Sequence, residues 1–119
     1  MSRKRVLVVD DNVDSAKSIA VLLRNWGHEV HLAHDGRAAI AAARLLHPDY
    51  LLLDIGLPGM DGFEVAARLR DEPGLDAMRV IAVSALPQGS DSERLRQACI
   101  DEYLTKPLDT RFLQSLLRR

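Results

Sequence analysis

Apolar residues fall in short unbroken runs along this chain, and most of the runs stop on a polar residue. Val6-Leu7-Val8-Val9 is followed by Asp10-Asp11-Asn12, Tyr50-Leu51-Leu52-Leu53 by Asp54, and Val80-Ile81-Ala82-Val83 by Ser84. Runs without alternation predict strands covered on both faces, as in a parallel sheet. Glu29 to Ala33 alternates more and predicts a second strand nearer an edge. Glu102-Tyr103-Leu104-Thr105, just before Lys106-Pro107, predicts a short fifth strand.

Between these runs the period changes to that of a helix. Ala16, Ile19, Leu22 or Leu23 and Trp26 predict a helix from about Val13 to Trp26, closed by Gly27. The alanine-rich segment Ala38 to Leu46 is a good helix former, with Asp35 to cap it and Pro48 to end it. Gly62 to Arg70 reads as a third helix with Phe63, Ala66 and Leu69 inward. Ser90 and Glu93 have capping-box spacing, so a fourth helix starts there. Asp109 caps a final helix with Phe112, Leu113, Leu116 and Leu117 on its inner side. Strand and helix thus alternate five times, which predicts an α/β fold: a parallel sheet with helices on both faces.

Composition narrows the reading. At 119 residues and 47% hydrophobic the chain can bury the core of one domain, so a single domain over 1–119 is expected. Sixteen basic residues against 17 acidic ones lack the basic excess of a nucleic-acid surface. The apolar runs fall far short of the roughly 20 residues of a membrane helix. No signal peptide opens the chain. The single cysteine, Cys99, cannot form an internal disulfide, which fits a reducing cytoplasm. A cytoplasmic protein touching neither membrane nor nucleic acid is expected.

The chemistry sits at the strand ends. In a parallel sheet Asp10 and Asp11, Asp54, Ser84 and Lys106 all reach one edge, where open α/β sheets bind ligands. Three carboxylates gathered there repel one another, so either something holds them or their pKa values rise, and a divalent cation with oxygen ligands would hold them. Oxygen ligands, few protein carboxylates and room for a phosphoryl oxygen suit Mg²⁺. Lys106 offers a positive point charge and Ser84 a hydroxyl to phosphoryl oxygens. A carboxylate that attacks phosphorus forms an acyl phosphate, and Asp54 is placed to be that carboxylate.

With these residues in view, the whole chain resembles a response-regulator receiver domain of two-component signalling. The motifs that carry the resemblance are Asp10-Asp11, Asp54 with Leu57-Pro58-Gly59-Met60-Asp61-Gly62, Ser84-Ala85, and Tyr103-Leu104-Thr105-Lys106-Pro107. The resemblance implies a doubly wound, flavodoxin-like (βα)5 three-layer sandwich with strand order 2-1-3-4-5. It implies that Asp54 takes a phosphoryl group from a phosphohistidine on a histidine kinase or histidine phosphotransfer protein. Asp11 would bind Mg²⁺ directly and Asp10 mainly through water, with the carbonyl of Gly56 and Asp54 as further ligands. Lys106 would pair with the phosphoryl group, and the Lys106-Pro107 bond would be cis. Ser84 and Tyr103 would act as the switch, altering the face built from the fourth helix, fifth strand and last helix, through which two copies could also pair. Such a domain is a phosphoacceptor rather than an enzyme, although it takes part in its own phosphorylation and dephosphorylation.

Several residues depart from the pattern. Gly56 has no side chain at a position that helps set phosphate lifetime in this family, Cys99 stands where many relatives have glycine, and Leu86-Pro87 stiffens the loop after Ser84. The wording around Asp54 and Ser84 looks more like receivers of hybrid histidine kinases than of transcription factors. Two other functions compete. An aspartyl-nucleophile phosphatase of the haloacid-dehalogenase type normally carries a second Asp where this chain has Gly56. A docking-only receiver would not need the intact set of site residues. The four histidines, His28, His31, His34 and His47, show no ligand pattern and read as surface residues.

Overall fold

The computed structural model describes residues 3–57, 62–84 and 100–118. Its strands are β1 (Arg5–Val9), β2 (Glu29–Ala33), β3 (Tyr50–Asp54), β4 (Arg79–Ser84) and β5 (Glu102–Thr105). They form one parallel sheet in the order β2-β1-β3-β4-β5. The described helices are α1 (Val13–Asn25), α2 (Gly36–Leu46), α3 (Gly62–Arg70) and α4 (Thr110–Leu117). The helix expected from Ser90, and Cys99 after it, lie outside the described residues.

The unbroken apolar runs are explained by two cores. Leu7, Val9, Leu51, Leu53 and Val80 point into one, where α2 adds Ala39, Ile40 and Ala43 and α3 adds Phe63, Val65, Ala66 and Leu69. Val6, Val8, Leu52, Ile81 and Val83 point into the other, with Ala16, Ala20 and Leu23 of α1 and Leu113, Leu116 and Leu117 of α4. Alternate residues of each central strand therefore face opposite helix layers. Each such side chain gives roughly 1.5–3 kcal/mol on burial. The result is the doubly wound three-layer sandwich.

The helix ends follow from single residues. Asn12, Asp35 and Asp109 each accept a backbone N–H of the first turn of α1, α2 and α4. After α1, Gly27 has φ +93°, a conformation that glycine adopts without strain. After α2, His47 takes φ +47° and Pro48 prevents the helix from continuing.

Two expectations change. His28 is 5% exposed rather than a surface residue, because its ring Nδ1 accepts the N–H of Lys4 at 3.1 Å just ahead of β1. Phe112 is 40% exposed rather than inward, because Leu113, Leu116 and Leu117 already fill the sheet-facing side of α4.

Candidate functional site

Register brings the strand ends level. Val9 of β1 pairs with Leu53 of β3, so Asp10 and Asp54 emerge side by side. Asp54 pairs with Val83, and Ser84, the next residue, pairs with Thr105. Lys106 follows, its backbone N–H donated to the Ser84 carbonyl at 2.8 Å. Residues scattered over the sequence thus reach one sheet edge through strand pairing alone.

Carboxylate oxygens of Asp10, Asp11 and Asp54 all lie within 4.8 Å of one another. Asp10 is buried, Asp54 half-buried and Asp11 exposed, so the cluster opens to solvent on the Asp11 side. The ammonium of Lys106 stands 3.4 Å from Oδ2 of Asp54 and 3.9 Å from Oδ2 of Asp10. One ammonium against three carboxylates leaves the cluster negative. Three hard oxygen donors with surplus negative charge fit a divalent cation of the Mg²⁺ kind.

Local hydrogen bonds aim these groups. Asp54 Oδ1 accepts the Gly56 N–H at 2.9 Å, which leaves Oδ2 turned to Lys106. Asp10 Oδ1 accepts the Asn12 N–H at 3.0 Å, and its backbone N–H is donated to the Ala33 carbonyl. Behind Asp54, a Cβ at Gly62 would come within 2.6 Å of Ile55 Cα and 2.9 Å of the Asp54 carbonyl oxygen. Only glycine lets α3 start so close to the end of β3.

The remaining predicted residues are placed as follows. Ser84 is buried at the end of β4. Tyr103 lies on β5 in register with Ala82, half-buried on the edge strand. Gly56 is in the exposed turn after β3. The Lys106-Pro107 peptide is cis. Pro58 to Asp61 and Ala85 to Pro87 lie outside the described residues.

Two residues of the site were missed by the motif reading. Asn12 both caps α1 and orients Asp10, and its residue type ahead of Val13 was the available signal. His34 holds the Asp10 carbonyl through its ring Nδ1 at 3.0 Å, and nothing in the sequence around it indicates this.

Comparison with known proteins agrees with this fold. The family model described as the response regulator receiver domain matches residues 6–118. The polar-differentiation response regulator DivK of Brucella ovis is 37% identical over 114 residues, covering 95% of this chain and 93% of the relative. The chemotaxis protein CheY4 of Vibrio cholerae superposes with a TM-score of 0.92 at 25% identity, over 99% of this chain and 98% of that one. The receiver domain of the sensor histidine kinase PA1611 of Pseudomonas aeruginosa gives 0.88 at 31% identity, over 99% and 97%. That structure carries a magnesium ion coordinated in its active-site cleft.

Proposed function

The chain belongs to the response regulator receiver domains of two-component signalling, and from that premise we propose that Asp54 accepts a phosphoryl group from a partner's phosphohistidine. The observation that carries this reading is the meeting of Asp54, Asp10, Asp11 and Lys106 at one sheet edge. Oδ2 of Asp54 attacks phosphorus in line with the P–N bond of the donor. That bond breaks, its electron pair stays on the imidazole, and an aspartyl phosphate remains.

Asp10, Asp11, Asp54 and the Gly56 carbonyl would hold Mg²⁺. When bound, the ion supplies positive charge that offsets the negative charge gathered around the phosphoryl group. The chain's own residues do the rest. The Gly56 N–H fixes one Asp54 oxygen and so orients the other. Lys106 lies where it can transfer its attraction from the Asp54 carboxylate to a phosphoryl oxygen. Ser84, one residue beyond the partner of Asp54, offers a hydroxyl to another oxygen.

The lasting effect would be conformational. Movement of Ser84 toward the phosphoryl group frees space for Tyr103, and the face carrying β5, α4 and the segment between β4 and β5 changes its partners. A histidine kinase or histidine phosphotransfer protein is the proposed donor, and a second copy is one candidate for the altered face. No helix among the described residues is long and apolar enough to cross a membrane, and action in the cytoplasm as a single phosphoacceptor domain is part of this proposal. The test is intact mass after incubation with a small acyl-phosphate donor. One added phosphoryl group that requires Mg²⁺ supports the reading, and no addition with Mg²⁺ bound argues for a docking-only receiver.

A further inference from the structure

An open groove of about 320 Å³ runs between α2 and α3, lined by Arg37, Ile40, Ala41 and Arg44 of α2 and Arg68 of α3. None of these residues belongs to the strand ends that build the phosphoacceptor site. Three arginines share one small hollow in a chain of net charge -1.

Their surroundings differ. Glu72 accepts from Arg44 Nε at 2.6 Å and from a second nitrogen of the same guanidinium. Arg44 is therefore neutralised and fixed as one wall. Among the described residues Arg68 pairs with Glu64 alone, one turn away at 3.7 Å, with both side chains more than half exposed. An ion pair this open contributes little and yields readily to a better partner. Arg37 is exposed and has no ion-pair or hydrogen-bond partner among the described residues. The hollow thus presents two available guanidinium groups above an apolar floor of Ile40 and Ala41.

We propose that this groove binds a small phosphate-bearing ligand, with the phosphate held by Arg37 and Arg68 and the carbon frame laid on Ile40 and Ala41. Guanidinium forks match phosphate oxygens in shape and charge, and a dianion that displaces Glu64 from Arg68 balances that group together with Arg37. The volume is at the low end of small-ligand sites, roughly 300–1,000 Å³, so the ligand is about the size of a mononucleotide or sugar phosphate. Ligand occupancy would bridge two helices that both pack on the core beneath Asp54.

The test is a titration of the isotopically labelled protein with inorganic pyrophosphate in EDTA, followed by amide shifts. Saturable shifts in α2 and α3 are expected, with affinity weakened about tenfold by either Arg37→Gln or Arg68→Gln, the loss of one charge-assisted contact. Asp54→Asn should bind as the parent does. Thermal melting would confirm that the surface variants remain folded. Absence of shifts in α2 and α3, shifts that vanish in Asp54→Asn, or undiminished binding by the double arginine variant would each overturn the proposal.

Discussion

The ammonium of Lys106 lies 3.4 Å from Oδ2 of Asp54, a residue 52 positions earlier in the chain, and 3.9 Å from Oδ2 of Asp10. Strand pairing makes this contact, and the ammonium is the one cation within ion-pair reach of either carboxylate among the described residues. Lys106→Met should slow phosphoryl gain at Asp54 by roughly 10- to 150-fold, the effect of losing a charged hydrogen bond of about 1.5–3 kcal/mol. Magnesium affinity should not fall, because the carboxylates lose a competing cation. Initial rates by intact mass and magnesium binding by calorimetry check the two halves of this prediction.

Asp11 is the exposed member of the acidic cluster, so it adds repulsion without burying surface. In EDTA, Asp11→Asn should melt no lower than the parent, and up to a few degrees higher, as like charges separate. With Mg²⁺ at about a hundredfold excess over its Kd, the parent should gain about 2.7 kcal/mol, and the variant less than half of that. Paired thermal melts with and without the ion measure both effects.

Burial, with the charge of Lys4 as a smaller cause, holds the His28 imidazole below its ordinary value of 6.5. Its Nδ1 must stay unprotonated to accept the Lys4 N–H. The unfolded chain takes up a proton first as pH falls. The contribution of His28 to stability is therefore complete above about pH 6.5 and is lost as pH drops through the folded value. Denaturant melts from pH 7.5 down to 5 should show this loss, and His28→Gln should flatten that part of the curve.

Two glycines that follow Asp54 should differ in their tolerance of alanine. At Gly62 the added Cβ meets Ile55 backbone at 2.6 Å, so Gly62→Ala must shift α3 or the turn after β3, at a cost of about 1–3 kcal/mol. At Gly56 the nearest atom is Asp54 Oδ1 at 3.6 Å, an ordinary contact, and Gly56→Ala should change stability by less than about 0.5 kcal/mol. Urea midpoints of the two variants make the comparison.

Much of this was visible in the sequence because each central strand is covered on both sides and so reads as an unbroken apolar run. That pattern placed Asp54 and Asp10 at strand ends and gave Tyr50–Asp54 its observed limits. Strand order was not visible in periodicity, since no local pattern says that β3 rather than β2 lies between β1 and β4; it came through the family resemblance. Long-range polar contacts were equally hidden. His28 read as a surface residue because its partner is a backbone amide 24 residues away, and the grip of His34 on Asp10 crosses the same distance. Phe112 read as inward because helical spacing alone cannot separate the centre of an apolar stripe from its margin. Leu75 and Met78, buried between α3 and β4, carry no helical or strand period to betray them.

The phosphoacceptor role of Asp54 is tested most directly by locating the modification. The protein would be treated with Mg²⁺ and a small acyl-phosphate donor, reduced with borohydride to trap the acyl phosphate as homoserine, digested and sequenced by mass spectrometry. Conversion at position 54 alone, abolished by EDTA and absent from Asp54→Asn, is the predicted result. Conversion at Asp10, Asp11 or any other carboxylate with Asp54 untouched would contradict it.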